Sequence, residues 1–486
     1  MTRPIATPAI MSRGAAAMTI GAAIATLLLA VLDTNIVTTA AVPIARDLQP
    51  DGGTTQVPWL VAGYILAATV VQPLYGKLAD IIGAKQVYLA SVGIFLAGSA
   101  LCAAATSMPE LIAFRALQGL GGGGLLSVTM VVIGHLRAED PDSDAGASGN
   151  LAAGIVVGLG LVCAPLLGGW LVSSLGWQWI FLVNLPLGAV SWLVMARFLR
   201  LSHERSDERI DVPSALLIGA AAALLLLGCQ WGGQRYSWLS APELALGAGV
   251  LVLTLTFAAR QRHSLAPFFP PRLLRVPVLR IVSFLQLATG LGMAAGTLYI
   301  VLELQVVHGA SPVQTGLALI PEAIGLAAGA LIGGILLKRR RPLRGSVVIG
   351  TALTALALAG MATMGAHSPS WELSTLLVLI GSGVGLTIGN EVIIVQATVE
   401  RRDLGMATTG VRFVESLGTS IGAAALGTVF VTLVGAHADD PSTVAHAISV
   451  CFAIGAALLL VATGVAVRLP AEATGHAPPA RSAVSA

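Results

Sequence analysis

Charged residues are scarce in this sequence of 486 residues. Only 10% of the residues are charged, whereas 56% are hydrophobic, and the mean hydropathy is +0.85. A chain this apolar cannot cover itself with polar surface, which excludes a soluble protein built from one or two domains. The hydrophilic connections are also short, so we expect no large soluble domain. The composition therefore predicts a polytopic membrane protein.

Other absences narrow the functional classes. The four cysteines all lie in apolar stretches without metal-ligand spacing, which excludes a disulfide framework or a zinc site. The sequence has no P-loop pattern for ATP and no nucleophile, metal or cofactor constellation that would indicate an enzyme. The first apolar run is too long for the apolar region of a cleavable signal peptide. We therefore expect no cofactor, metal or nucleic-acid partner, and a monomer in a lipid bilayer.

Long apolar runs divide the chain into fourteen predicted membrane-spanning helices. A helix needs about 20 apolar residues to cross the hydrocarbon core of a bilayer. An even number of spans puts both termini on one side. Runs of this length, separated by polar residues or by proline and glycine, lie at 17–43, 57–76, 84–105, 109–134, 148–174, 178–200, 212–230, 240–260, 279–307, 312–337, 344–365, 372–397, 405–435 and 443–468.

The positive charges predict on which side of the membrane the two termini lie. If the N-terminus is cytoplasmic, only Arg46 and Arg235 of the 27 lysines and arginines fall in predicted outer loops. Only Arg115 and Arg412 lie deep within spans, and the others fall in cytoplasmic segments or at the cytoplasmic ends of spans, in agreement with the positive-inside rule. All tryptophans except Trp192 fall at predicted outer ends, where aromatic rings prefer the interface. We therefore expect the cytoplasmic membrane, with both termini in the cytoplasm.

Two charged residues lie deep inside the spans of the first half, far from the span ends. Asp33 is near the middle of the first span, where a carboxylate costs roughly 2.5–3.5 kcal/mol on insertion scales. Such a residue indicates function by default, although it could instead bond a neighbouring helix or the backbone freed before Pro43. Arg115 must face protein or water, and a carboxylate or backbone carbonyls on a neighbouring helix are its natural partners.

Glycines follow Arg115 in the same span. The spacing of Gly119, Gly121 and Gly124 fits the dinucleotide-binding fingerprint, but it follows no strand and lies within an apolar helix. Small residues on successive turns instead allow two helices to approach closely. We therefore expect this glycine run to serve helix packing.

A short charged segment joins the second and third spans. It runs from Gly76 to Lys85, with Gly83 available for a tight reversal and Asp80 placed to cap or pair. From the residues alone, this segment is either a functional element or only a short charged loop.

Small residues and a proline recur in the span 148–174. Gly160, Gly168 and Gly169 allow close helix contact, while Pro165 removes a backbone hydrogen bond and kinks the helix. The combination suits a pivot or gate, and a merely well-packed helix is an equal alternative.

Acidic residues are frequent in the predicted spans of the second half. Glu303, Glu322 and Glu391 all fall in apolar runs. Arg412 and Glu415 are three residues apart, share one helical face and can neutralise each other. A buried acid can also hold a proton, which makes each of these carboxyls a candidate for proton exchange.

Five segments resemble, in order and position, the signature motifs of the major facilitator superfamily. More narrowly, the chain resembles the drug:proton antiporters with fourteen spanning helices. That resemblance implies an all-α fold of two six-helix bundles plus an extra central helix pair, with alternating access around a midplane cavity. The segments are Leu32-Asp33 through Pro43, Gly76 through Lys85, Arg115-x-x-Gln118-Gly119, Gly160 through Gly169, and Trp177-x-Trp179 through Pro186.

The resemblance also implies a domain organisation. Residues 1–200 form an N-terminal six-helix bundle, and residues 201–275 form the extra helix pair with its cytoplasmic linkers. Residues 276–470 form a C-terminal six-helix bundle. Residues 471–486, which are rich in alanine, proline and serine, form a disordered cytoplasmic tail.

The function implied is proton-coupled efflux of amphipathic, lipophilic drugs, for which acidic residues in the cavity favour cations. An exporter of one antibiotic or lipid metabolite, or an uptake symporter of the same fold, remains an alternative. We expect substrate contacts from Glu322, Glu391, Asn390 and Gln118, and proton coupling by Asp33 and Arg115. The gating residues implied are Gly76, Asp80, Gly83, Lys85, Gly160, Pro165, Gly168 and Gly169.

Overall fold

The computed structural model is helical almost throughout the residues that it describes. The β structure in these ranges is one isolated bridge between Gly232 and Tyr236. This result confirms the all-α fold that the apolar runs predict. The described residues are 13–48, 57–139, 160, 163–164, 167–201, 211–233, 236–263, 271–307, 310, 312–339, 341–364, 369–400, 403–434 and 441–470.

The helices fall into two compact units. The first unit contains α1 (Arg13–Leu48), α2 (Val57–Ile82), α3 (Ala84–Ala103), α4 (Met108–Glu139), α5 (Trp179–Leu182) and α6 (Asn184–Phe198). The second unit contains α7 (Val212–Trp231), α8 (Ala241–His263), α9 (Pro271–Arg275), α10 (Pro277–Leu302), α11 (Pro312–Ala318), α12 (Ile320–Lys338), α13 (Arg344–Ala362), α14 (Ser370–Thr398), most of α15 (Leu404–Val434), and α16 (Pro441–Ala466). The start of α15, up to Thr409, belongs to the first unit.

Many of these helices have the length and hydropathy needed to cross a bilayer. Within the described residues there are eleven such segments by length and composition, and two shorter apolar helices lie at Leu216–Cys229 and Pro277–Met293. Most of the predicted span 148–174 lies outside the described residues. The count of fourteen spans therefore stays a prediction.

Glycines bring α4 into close contact with α2 and α3 in the first unit. A Cβ atom on Gly119 would clash with the carbonyl oxygen of Tyr64 in α2. A Cβ atom on Gly121 would lie 2.6 Å from the Cα atom of Phe95 in α3. These contacts confirm the close helix packing predicted for the glycine run. They also hold Arg115, on the same helix, against its neighbours.

Glycine contacts also join the helices of the second unit. A Cβ atom on Gly381 of α14 would clash with the carbonyl oxygen of Glu322 in α12. A Cβ atom on Gly290 of α10 would lie 2.7 Å from the backbone nitrogen of Thr419 in α15. The same Cβ atom would also clash with the carbonyl oxygen of Glu415. An apolar core contributed by α10, α13, α14, α15 and α16 completes this unit.

The helices α7 and α8 lie in the segment that the resemblance assigns to the extra pair, and they pack against each other. Gly233, between them, has a φ of +74°, a left-handed conformation that favours glycine. Nε1 of Trp238 donates a hydrogen bond of 2.8 Å to Oγ1 of Thr428. The exposed leucine and valine side chains of α8 suit contact with lipid, namely Leu244, Leu251, Val252 and Leu255.

Candidate functional site

Asp33 on α1 and Arg115 on α4 form a buried ion pair. Nη1 of Arg115 lies 2.8 Å from Oδ2 of Asp33, and each residue is 1% exposed. Removing one partner from such a pair leaves an uncompensated buried charge, which is strongly destabilising. Arg115 therefore has the carboxylate partner that its position in an apolar span requires.

Neutral side chains complete the hydrogen bonds of the Asp33 carboxylate. Its Oδ1 accepts hydrogen bonds of 2.8 Å from Nε2 of Gln118 and from Nδ2 of Asn184. The same two amides donate to Oγ of Ser99 at 3.2 and 3.0 Å, and this hydroxyl donates to the carbonyl oxygen of Phe181 at 2.9 Å. We define the Asp33 network as Asp33, Ser99, Arg115, Gln118 and Asn184.

The guanidinium of Arg115 has further partners on two helices. Its Nη1 donates to Oε1 of Gln118 at 2.7 Å, and its Nε donates to the carbonyl oxygen of Leu60 in α2 at 3.3 Å. Its central carbon also lies 4.2 Å from the centre of the Tyr64 ring, within the range of a cation–π interaction. Several donors in a fixed plane are therefore used at once, which a lysine ammonium does not reproduce.

Two members of the Asp33 network are not singled out by the sequence. Asn184 lies within the motif that begins at Trp177, and an amide in an apolar span is a signal that could have identified it. Ser99 offers no comparable signal, because serines in helices often bond their own backbone. Gln118, which the sequence assigns to substrate, is fully buried and bonded to Asp33 and Arg115.

Asp80, near the end of α2, caps the start of α15 within the first unit. Its two carboxylate oxygens accept hydrogen bonds from the backbone N–H groups of Gly405 at 2.7 Å and Met406 at 2.8 Å. A carboxylate at a helix N-terminus satisfies free N–H groups and complements the positive end of the helix dipole. A Cβ atom on Gly76 would lie 2.9 Å from the carbonyl oxygen of Gly405, so this approach requires glycine.

The rest of the predicted charged segment is also anchored in the first unit. Gly83 has a φ of +100° between α2 and α3, where glycine is favoured. Nζ of Lys85 donates to the carbonyl oxygens of Ala196 at 2.7 Å and Leu199 at 2.8 Å. A lysine there complements the negative end of α6. Gly76–Lys85 therefore links α2, α3, α6 and the start of α15.

Little of the motif in the span 148–174 belongs to the described part of the chain. Gly160 and Gly168 are buried helical residues, and no atom lies within 4 Å of a Cβ position on Gly169. Pro165 lies outside the described residues, so its kink remains a prediction.

The predicted polar residues of the second half differ in burial. Glu322, in the first turn of α12, is half-buried. Glu303 is also half-buried and begins a π-helical turn that follows α10. Asn390 is 3% exposed, and its Nδ2 donates to Oγ of Ser346 and to the carbonyl oxygen of Leu386, both at 2.9 Å. Of these residues, Asn390 is held by helix contacts, whereas Glu322 retains accessible surface.

Glu391 is the most enclosed acid of the second unit. It is 0% exposed, and within the described residues neither carboxyl oxygen has a hydrogen-bond partner. On α15, Nη1 of Arg412 forms an ion pair with Oε2 of Glu415. Of these two acids, Glu415 is therefore paired with Arg412, whereas Glu391 lacks donors among the described residues.

The family model of the Major Facilitator Superfamily matches residues 22–422 and 282–485. An uncharacterized MFS-type transporter of Mycobacterium tuberculosis is 36% identical over 406 residues, which cover 83% of this chain and 58% of that protein. The multidrug transporter protein MdtP of Bacillus subtilis is 30% identical over 398 residues, which cover 82% of this chain and 72% of that protein. The chain thus spans less than two thirds of the mycobacterial relative's length.

The fold is similar to that of a solved transporter. The crystal structure of the human organic anion transporter MFSD10 (TETRAN) superposes with a TM-score of 0.66 and covers 93% of this chain and 99% of that chain. The two are 15% identical, so the likeness concerns the fold alone. The apolar helices describe an integral, multi-pass membrane protein, and the family match shows that the chain belongs to the Major Facilitator Superfamily.

Proposed function

We propose that the chain exports amphipathic drugs across the cytoplasmic membrane in exchange for protons. The observation that carries this proposal is the Asp33 network, in which a carboxylate and a guanidinium lie buried inside membrane-spanning helices. Charges at that depth are costly and mark ion or proton pathways in transporters. The sequence has no P-loop pattern for ATP, which favours an ion gradient as the energy source.

Two further observations favour export over uptake. A relative that is 30% identical to the chain is named a multidrug transporter. The segment Gly160–Gly169 also resembles the motif of family members that export by antiport. An uptake symporter of the same fold would account for the Asp33 network but for neither of these observations.

The coupling role of Asp33 and Arg115 follows from their mutual neutralisation. A proton on Asp33 would remove the negative charge that holds the guanidinium, and Arg115 would then rely on Gln118 and the Leu60 carbonyl. Protonation therefore changes the forces between α1, α2 and α4. In a transporter that works by alternating access, such a change can favour one conformation over another.

Glu322 is the residue that we propose for contact with a cationic substrate. Of the four residues that the sequence assigns to substrate, it alone is not buried, because the exposed fraction is 0% for Gln118 and Glu391 and 3% for Asn390. A carboxylate in a cavity of low dielectric attracts a lipophilic cation strongly. The gating role of Gly76–Lys85 is supported by its contacts with α6 and with the start of α15.

The membrane orientation and the domain organisation are part of the same proposal. The lysine and arginine distribution supports cytoplasmic termini. The two bundles at 1–200 and 276–470, the helix pair at 201–275 and the tail at 471–486 follow the family resemblance. A monomer is sufficient for this mechanism.

Transport in inverted vesicles tests the proposal. Vesicles containing the protein receive an imposed pH gradient and then a panel of lipophilic cations and neutral drugs. We expect at least one compound to collapse the gradient in vesicles with the wild-type protein and not in vesicles with Asp33→Asn. Drug uptake into the inverted vesicles without any change in the pH gradient would contradict proton coupling. Drug movement out of the inverted vesicles would contradict export.

A further inference from the structure

Asp33 is paired with a guanidinium, whereas the described residues give Glu391 no ion-pair partner. A fully buried carboxylate without a hydrogen bond or an ion pair costs several kcal/mol, whereas the neutral acid costs about 1–3 kcal/mol. Glu391 has neither kind of partner in the described part of the chain. The neutral acid is therefore the less costly form of Glu391 in this conformation.

Two charged groups act on Glu391, and both lie on α15. They are Arg412 and Glu415, which form an ion pair with each other. The helices α10, α12 and α13 also pack against α14, but within the described residues none of their charged groups adds to these two. We define the Glu391 cluster as Glu391, Arg412 and Glu415.

The Glu391 cluster contains two carboxyls and one guanidinium. Because a guanidinium stays protonated in proteins, it supplies one fixed positive charge and neutralises one carboxylate. The second carboxyl must either hold a proton or bear an uncompensated charge. In the described conformation Arg412 pairs with Glu415, which leaves Glu391 as the carboxyl without a compensating charge.

Unused hydrogen-bonding groups lie on a helix next to the Glu391 cluster. Gln286 is 0% exposed, and neither atom of its amide has a hydrogen-bond partner, nor has Oγ1 of Thr289, within the described residues. Both residues belong to α10, which packs against α14 and, at Gly290, against the backbone of Glu415. Buried polar groups without partners are rare, and a second conformation in which they bond accounts for them.

We propose that the Glu391 cluster is a second proton-exchange site of the transport cycle. The O–H bond of Glu391 breaks, its proton passes to water when the site opens, and Arg412 then compensates both carboxylates in turn. Reprotonation of Glu391 returns Arg412 to Glu415. This inference rests on the proposed proton-coupled export, and it adds to it a proton carrier separate from Asp33.

Infrared spectroscopy of the purified full-length protein in lipid tests the protonation state directly. The probe is the C=O stretching band of a protonated carboxyl at neutral pH, which needs no substrate. We expect Glu391→Gln to reduce the intensity of this band by the contribution of one protonated carboxyl. The control Glu372→Gln, which changes an acid in the first turn of the same helix, should leave the band intact.

A second variant leaves Glu391 itself unchanged. Glu415→Gln frees Arg412 to pair with Glu391, so Glu391 should ionise and this variant should lose the same part of the band. A band of wild-type intensity in either Glu391→Gln or Glu415→Gln would overturn the proposal. Transport in vesicles tests the proposed function separately. Gradient-driven export by the wild-type protein would support that function whichever acid gives the infrared band.

Discussion

Nη1 of Arg115 and Oδ2 of Asp33 lie 2.8 Å apart, with each residue 1% exposed. The carboxylate also accepts two amide hydrogen bonds, so its charge is fully compensated. Glu391, in the second unit, is equally buried but has no hydrogen-bond donor among the described residues. One buried acid therefore has an ion pair and two amide donors, whereas the other has no donor among the described residues.

Arg115→Lys should remove most gradient-driven export although it keeps a positive charge. A lysine carries its three donors on one nitrogen, so it does not reproduce the separate contacts of Nε with the Leu60 carbonyl and of Nη1 with Asp33 and Gln118. If the Asp33 carboxylate were left unpaired, the free energy of unfolding would fall by about 3–5 kcal/mol. Export in vesicles and thermal unfolding should be measured together. Wild-type export by the Lys variant would mean that only a positive charge is needed.

Asn184→Ala should impair both stability and export, because it removes the amide that bonds Asp33 and Ser99. An acceptor deprived of a partner in a buried site costs about 1–3 kcal/mol. Ser191→Ala is a matched control on α6, since its hydroxyl bonds only the Leu187 carbonyl of its own helix. Equal melting temperatures for the two variants would argue against a role for Asn184.

Gly121→Ala should destabilise the protein by about 1–3 kcal/mol, because its methyl group would overlap the backbone of Phe95. Gly21→Ala, in α1, is the control, since no atom lies within 4 Å of its Cβ position. The free energy of unfolding in a detergent titration measures the difference. A tolerated Gly121→Ala would contradict the close packing of α3 and α4.

Asp80→Ala should slow export while leaving membrane insertion intact. The substitution removes the acceptor for the N–H groups of Gly405 and Met406, and loss of a helix cap costs about 0.5–2 kcal/mol. Glu110→Gln serves as the control, because Glu110 is an exposed acid that bonds Thr106 at the start of α4. Turnover in vesicles is the measurement, and unchanged turnover in Asp80→Ala would remove this contact from gating.

Glu322→Gln should weaken export of a permanently charged lipophilic cation more than export of a neutral drug of similar size. Loss of one charge contact in a site of low dielectric costs on the order of tenfold in affinity. A neutral substrate binds mainly through apolar contact and should lose little. The dependence of the export rate on drug concentration must be compared for the two drugs, with the variant and the wild-type protein expressed at the same level. An equal loss for both substrates would assign Glu322 to coupling or structure.

The sequence alone determines the class of this protein. Hydropathy and run length are local properties of the chain, so they predict helices that cross a bilayer without knowledge of any contact. The cost of burying charge likewise marks Asp33, Arg115 and Glu391 as unusual. The motif order adds the family, which the family match confirms.

Only the tertiary structure decides which polar groups meet. Asp33 is separated by 82 residues from Arg115 and by 151 from Asn184, and Asp80 by 325 from Gly405. Such pairs depend on how helices cross and how closely glycine contacts let them approach, which hydropathy does not encode. For the same reason the sequence shows that Glu391 is embedded, whereas its lack of a partner is a property of the packed helices.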